Sequence, residues 1–245
     1  MEISFQGFIN NRNFSFERQK TIPKILFLKI FVYVRKRIMR IVCLSDTHNC
    51  NQQIAVPDGD VLIHAGDATI QGTMDEIVLF NKWFSTLPHK YKIFIAGNHD
   101  WLFETNLNLA KSLLDKSIIY LQDSSLEIED LKIYGSPWQP WFFNWAFNLP
   151  RGKALIEKWK LIPKDTDILI THGPPFGILD FPPNGFSVGC ENLRERIEEI
   201  RPKLHVFGHI HYSYGTIEKF GVRFVNASNC DESYEPTNPP IIIDL

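Results

Sequence analysis

VLIHAGDATI (residues 61–70) is an apolar run that stops at Gly66 and Asp67. Four to eight apolar residues closed by glycine read as a buried strand, and glycine there permits a sharp turn or a close backbone approach. Asp67 then stands at the strand's end, where it would either cap a turn in water or join other polar groups at a site. The rest of the chain decides between these. IVCLSDTH (41–48) ends in Asp46 and His48, and KIFIAGNHD (92–100) ends in Asn98, His99 and Asp100. DILITHGPP (167–175) ends in His172, and HVFGHIH (205–211) ends in His209 and His211. Taken singly, each has a bland reading: Asp46 as a turn cap, Asn98 in a left-handed conformation after Gly97, His172 as a hydrogen-bonded core histidine. Five apolar runs that all end in Asp, Asn or His are better explained by one site, because strand ends in α/β sheets are where loops gather and ligands bind.

The donors suit metal. Asp46, Asp67 and Asn98 offer oxygens, and His48, His172, His209 and His211 offer imidazoles. Seven donors exceed the needs of one ion and suit two that share a carboxylate. A mixed oxygen and imidazole set without thiolates fits Mn, Fe, Zn, Co or Ni and argues against a closed structural zinc. Two ions about 3.5–4 Å apart are a recurrent solution to phosphoryl-ester cleavage.

Around these runs, strands are expected at 40–44, 61–65, 92–96, 118–121, 131–134, 167–171, 204–207, 215–219 and 222–225, and helices at 74–87, 108–115, 153–161 and 191–200. In MDEIVLFNKWFSTL (74–87), Ile77, Phe80, Phe84 and Leu87 recur at helical steps, and Thr73 ahead of Glu76 is an N-cap signature. Strands and helices alternate in the first half, and strands adjoin in the second. That pattern implies a layered α/β (α+β) domain with a mixed sheet or two facing sheets.

A hydrophobic content of 44% supports a sizeable core. The net charge is −2, but residues 1–38 hold eight Lys/Arg against two Asp/Glu, leaving 18 against 26 in residues 39–245. A body near −8 disfavours long nucleic acid, whose binding rests on many Lys and Arg contacts to phosphate. The first 38 residues are expected to be a dispensable extension, or the product of a start codon upstream of the true start at Met39, with residues 39–245 as one domain. The apolar stretch 25–34 is too short to span a bilayer, so no transmembrane segment is expected. Cys43, Cys50, Cys190 and Cys230 show no metal-ligand or disulfide spacing, which favours a reducing, cytoplasmic setting. Cys43 is expected in the core, His64 and His205 as core residues or supports of a ligand, and His89 in a surface loop. SPWQPWFFNWAFN (136–148) packs three Trp and three Phe into thirteen residues, either as a hydrophobic loop on the domain or as a wall for a nucleobase or aryl group.

With the blocks DTH, GD, GNHD, THG and GHIH in this order, the chain resembles the calcineurin-like metallophosphoesterase superfamily over roughly residues 40–230. Within it, SDTH, HAGD, GSPWQPWFFNWAFN, THGPP and GHIHYSYG look most like the small metallophosphoesterase-domain group that includes brain-type phosphodiesterases. The resemblance implies a β-sandwich of two mixed sheets flanked by helices. It implies that Asp46, His48 and His211 hold one divalent ion, that Asn98, His172 and His209 hold the other, and that Asp67 bridges them, with manganese the first choice and Fe, Zn, Ni, Co or Mg as alternatives. A hydroxide between the ions would attack phosphorus. His99 is expected as a catalytic group that steadies the phosphoryl oxygen or protonates the leaving group, with Asp100 either orienting it or capping the helix that follows. Neither GD nor GNHD has an arginine beside it to grip a phosphomonoester dianion, so the expected substrate is a small phosphodiester, a cyclic nucleotide or an aryl or nucleotide diester. A phosphomonoesterase, or a scaffold that keeps the fold without the chemistry, are the alternatives.

Overall fold

Alternation along the strands builds four layers. The computed structural model describes residues 38–183 and 185–245. In β1 (Arg40–Leu44) and β2 (Val61–His64), Ile41, Cys43, Val61 and Ile63 point to one face. Val42, Leu44 and Leu62 point to the other, as the period of two requires. The first set meets Ile168, Ile170, Leu204 and Val206 of β9 (Ile168–Thr171) and β10 (Leu204–Phe207), forming a core between two sheets. The second set meets Ile77, Phe80 and Phe84 of helix α1 (Met74–Thr86).

Among the described residues, one sheet has the order β13-β1-β2-β3-β4, with β3 at Tyr91–Phe94, β4 at Ile118–Tyr120 and β13 at Ile241–Asp244. β1 to β4 run parallel, and β13 closes the edge antiparallel to β1. The other sheet has the order β11-β12-β10-β9-β6-β5, with β5 at Ser124–Ile128, β6 at Leu131–Ser136, β11 at Gly215–Lys219 and β12 at Val222–Asn226, while β7 (Gln139–Pro140) and β8 (Asn148–Leu149) pair with each other alone. Its outer face packs Leu169, Phe207 and Phe224 against Leu155 and Trp159 of a helix at Lys153–Trp159 and against Leu193 and Ile197 of another at Glu191–Ile200. Central strands covered on both faces are largely apolar, which is why they read as nearly continuous runs in the sequence. The expected sandwich of two mixed sheets flanked by helices is the fold observed.

The local signals mostly hold. Thr73 and Glu76 form the reciprocal capping box at the start of α1, and Cys43 is fully buried. Three readings need correction. The helix expected at 108–115 runs instead from Leu107 to Ser112, started by the capping side chain of Asn106, and a further short helix at Trp101–Thr105 lies outside the expected helices. β5 and β13 lie outside the expected strands: β5 is half-exposed and short of apolar residues, and β13 is an edge strand at the chain's end. His89 is not a surface residue but is buried with Nε2 3.0 Å from the Pro57 carbonyl. The extension expected at 1–38 lies, but for Ile38, outside the described residues. Among the described residues no helix is long and apolar enough to cross a membrane.

Candidate metal centre

The polar strand ends meet along one edge of the sandwich. Asp46, His48, Asp67 and Asn98 follow strands of the first sheet, while His172, His209 and His211 follow strands of the second. Asp46, His48, Asp67 and His209 all take positive φ, between +40° and +70°. Such conformations are uncommon for residues with a Cβ and persist where surrounding bonds over-determine them. Here those bonds run between neighbouring loops: Asp46 N–H to the Gly66 carbonyl at 2.9 Å, and His48 N–H to the Asp67 carbonyl at 3.1 Å. The His209 N–H donates to both carboxylate oxygens of Asp46 at 3.1 and 2.9 Å, and the Ser228 hydroxyl adds a bond at 2.9 Å.

Two glycines make the approach possible. A Cβ on Gly97 would stand 2.2 Å from Asp67 Oδ1, and one on Gly66, whose φ is +101°, would stand 2.6 Å from His172 Nδ1.

The imidazoles are aimed from behind. Nδ1 of His48 lies 3.2 Å from the Thr69 carbonyl, Nδ1 of His172 lies 3.0 Å from the Ala65 carbonyl, and Nδ1 of His211 lies 2.9 Å from the Asp231 carbonyl. A carbonyl only accepts, so each Nδ1 carries the proton and each Nε2 turns a lone pair to the centre, the arrangement that metal-ligating histidines use. His48 Nε2 and His211 Nε2 stand 3.3 Å apart. His172 Nε2 lies 2.9 Å from Asn98 Oδ1 and 3.3 Å from Asp67 Oδ2, and Asp67 Oδ2 is also 3.9 Å from His48 Nε2. Lone pairs and carboxylate oxygens at such spacing require positive charge between them.

Three groups of donor atoms lie within 4.8 Å of one another: Asp46, His48 and His211; Asp67, His172 and His209; and His48, Asp67 and His99. The first holds the three residues expected around one ion; the second holds His172 and His209, expected around the other, together with Asp67, while Asn98 lies against His172. The donor set therefore fits divalent cations. Without them, protons play that part. Burial alone would lower His172 and His211, but the charge and hydrogen bond of Asp67 raise the first to about 9, and the hydrogen bond and charge of Asp46 raise the second to about 9. Burial would raise the Asp46 carboxyl, yet His211, His172 and His48 hold it well below its ordinary value. Burial pushes His48 down to about 4 and His209 to about 3, so both stay neutral and able to coordinate.

His64 and His205 are supports. His64 Nε2 meets Thr47 Oγ1 at 2.9 Å, and His205 Nε2 meets Thr171 Oγ1 at 2.8 Å. Each threonine stands in the chain beside a candidate ligand, and burial lowers both histidines to about 3.

Asp100 stands at the N-cap position expected of it, but its side chain turns elsewhere. It makes no side-chain cap to the helix at Trp101–Thr105. Its buried carboxylate accepts from Gly97 N at 2.8 Å, Ala68 N at 3.3 Å, Thr69 N at 3.1 Å and Thr69 Oγ1 at 2.7 Å, tying the GD loop to the GNHD loop. Burial and the charge of Asp67 raise its carboxyl to about 6. His99 is oriented by others: Nδ1 meets the Ile70 carbonyl at 2.7 Å, and the Trp145 ring lies tilted against it at 4.1 Å between centroids.

Above the donors lies a cavity of about 550 Å³, with Asp67, Asn98, His99, His209 and His211 in its lining. The aromatic stretch divides between both readings. Phe147 is buried and Trp138 packs on it, whereas Trp141 and Phe142 line the cavity and Phe142 approaches the His209 ring at 5.7 Å. Sequence reasoning missed Arg151, Ser228 and Tyr234. Arg151 lines the cavity, but its guanidinium is engaged by the carbonyls of Gly189 and Val188, both at 2.7 Å, and by Glu191. None of the three sits at the end of a strand that flags it, although Ser228 follows β12 by two residues.

Comparison with known proteins agrees with this geometry. The profile of the calcineurin-like phosphoesterase family matches residues 39–213. Metallophosphoesterase domain-containing protein 1 of human is 48% identical over 231 residues, covering 84% of this chain and 71% of its own length, and its mouse counterpart matches equally. At the level of fold, the phosphopantetheinyl hydrolase of Mycobacterium tuberculosis superposes with a TM-score of 0.53 at 15% identity, covering 83% of this chain and 95% of its own. The TT1561 protein of Thermus thermophilus does so with a TM-score of 0.55 at 14% identity, covering 78% and 89%. Since the family match runs through every strand end that carries a candidate ligand, the chain belongs to the calcineurin-like phosphoesterase family of metal-dependent hydrolases.

Proposed function

We propose that this chain is a two-metal phosphodiesterase for a small phosphodiester. The observation that carries the reading is the position of Asp67 Oδ2 between His172 Nε2 at 3.3 Å and His48 Nε2 at 3.9 Å, where one carboxylate serves two donor groups. Asp46, His48 and His211 would hold one cation, and Asn98, His172 and His209 the other, with Asp67 shared. Manganese is the first choice for this oxygen and imidazole set. When bound, the pair supplies Lewis-acid polarisation of the phosphoryl oxygens and a water nucleophile of lowered pKa.

The chain's own residues do the rest. His99 has its Nδ1–H committed to the Ile70 carbonyl, so its cavity-side Nε2 donates only when the ring is protonated. In that form it protonates the leaving oxygen or steadies the phosphoryl group. A diester is favoured because Arg151, the one Arg or Lys lining the cavity among the described residues, is already engaged. A monoester's second charge would have no further cation to meet. Trp141 and Phe142 offer an apolar wall for a nucleobase, cyclic or otherwise, or for an aryl group. Carbonyls hold Nδ1 of three histidines and thereby pre-set the tautomer each ligand needs, so ligation requires no reorganisation.

The test is hydrolysis of bis-p-nitrophenyl phosphate by protein stripped with chelator and reloaded with Mn, Zn, Ni or Mg, with p-nitrophenyl phosphate alongside. Metal-restored cleavage that favours the diester is the expected result. Preference for the monoester would make it a phosphomonoesterase, and no turnover with any metal would make it a scaffold. His99→Ala should keep both metals and lose turnover most for poor leaving groups; an equal loss for good and poor ones assigns it to phosphoryl positioning instead.

A further inference from the structure

We infer that Tyr234 is a catalytic residue, its phenol donating a hydrogen bond to a non-bridging phosphoryl oxygen of the bound ester. The inference rests on the proposed phosphoesterase reading of the same site and adds a group that lies beyond the family match at 39–213.

Its ring stands among three histidines of the centre, with centroids 4.7 Å from His48, 5.9 Å from His211 and 6.1 Å from His99. It lines the cavity together with Asp67 and Asn98. Phe142 covers the His209 side of the donors, and Tyr234 covers the His48 and His211 side, so an ester seated on the donors passes between them. Phe142 offers only ring. Tyr234 also offers an O–H, which has no hydrogen-bond partner among the described residues.

The backbone holds that ring at a cost. Tyr234 has φ +62°, an uncommon conformation for an aromatic residue and one that persists only where its surroundings over-determine it. Asp231 supplies the constraint. Its carboxylate accepts from Ser233 N at 2.8 Å and Glu235 N at 3.1 Å, and its carbonyl accepts from Tyr234 N at 2.9 Å. The same carbonyl accepts from His211 Nδ1 at 2.9 Å. One carbonyl therefore fixes a candidate ligand and the tyrosine together, and the ring is carried at a set position relative to His211. On the other side, Cys50 Sγ approaches the Tyr234 carbonyl at 3.5 Å.

Negative charge gathers on the non-bridging oxygens as phosphorus adds its fifth oxygen, and a fixed donor aimed there is worth more in that state than in the ground state. Arg151 is not free to serve. The tyrosine keeps its proton throughout, and no covalent step passes through it.

The experiment compares wild type with Tyr234→Phe, which keeps the ring and removes the hydroxyl. Metal content is read by elemental analysis, kcat and KM on bis-p-nitrophenyl phosphate, and affinity for inorganic phosphate by titration of the manganese-loaded proteins. We expect unchanged metal content, kcat lower by about 10- to 100-fold with KM little altered, and phosphate bound several-fold more weakly, the loss of one hydrogen bond to a charged group. Values of kcat and phosphate affinity within twofold of wild type overturn the inference, and so does loss of metal, which would make the residue structural. If wild type turns over no ester, the proposed function falls by itself, and the phosphate titration still decides Tyr234: equal affinity overturns it.

Discussion

Replacing Gly97 by alanine tests whether the loops that follow β2 and β3 meet at the centre as closely as the structure has it. A Cβ there would lie 2.2 Å from Asp67 Oδ1, 2.4 Å from Asp67 N and 2.7 Å from His172 Cε1. Ordinary contacts begin near 3.4 Å, so the Asp67 loop must retreat by about 1 Å, and part of the obstruction is backbone that cannot rotate away. Overpacking of this kind costs about 1–3 kcal/mol. For a domain of this size that lowers Tm by about 2–12 °C. The functional effect should be larger than the stability effect, since a displacement of about 1 Å in a reacting constellation costs on the order of 100-fold in rate. The assay is metal content and melting temperature of Gly97→Ala purified beside wild type, followed by turnover at saturating metal. A variant that melts within about 1 °C of wild type and keeps both metals and turnover would refute the close approach of Gly97 to the shared carboxylate.

Asp67→Ala should lose both metals or nearly so, because its carboxylate faces both donor groups; retention of two metals at full occupancy, measured by elemental analysis, would sink the bridging assignment. His172 and His211, both raised to about 9, stabilise the metal-free fold fully below about pH 6.5, and that contribution is lost as pH rises through about 9. Chelated protein should therefore melt progressively lower between those values, while manganese affinity rises by about tenfold per pH unit for each proton displaced; a flat or rising melting curve for the chelated protein contradicts this. Removing residues 1–38 should leave melting temperature and metal content unchanged, and an insoluble product would show that the extension belongs to the fold.

The architecture was legible because burial on both faces makes the central strands nearly continuous apolar runs, and because each run stops at a chemically distinctive residue. All seven expected donors converge, for the same reason: the topology places every one at the same end of its strand. What stayed hidden depends on contacts across the chain. Asp100 looks like a partner for its neighbour His99, but its carboxylate faces the backbone N–H groups of Ala68 and Thr69, which only the folded GD loop delivers. His89 sits in a Pro- and Lys-flanked segment that reads as surface, yet the Pro57 carbonyl draws it inside. Tyr234 is placed by Asp231 hydrogen bonds within a turn, and nothing in its local composition sets it apart.

The division of donors between the sheets has a mechanical meaning. Asp46, His48, Asp67 and Asn98 ride on one layer, and His172, His209 and His211 on the other. Cations seated among them would act as rivets through a seam otherwise closed by aliphatic packing, with Thr47 and Thr171 each propped by a neutral histidine so that neither plate slides beneath its rivet. Ions present at one hundred times their dissociation constant would add about 2.7 kcal/mol to the fold, a substantial part of the margin on which a domain persists. Selection for durability alone would thus maintain the same seven side chains, and a descendant could abandon hydrolysis while its hardware stayed in place.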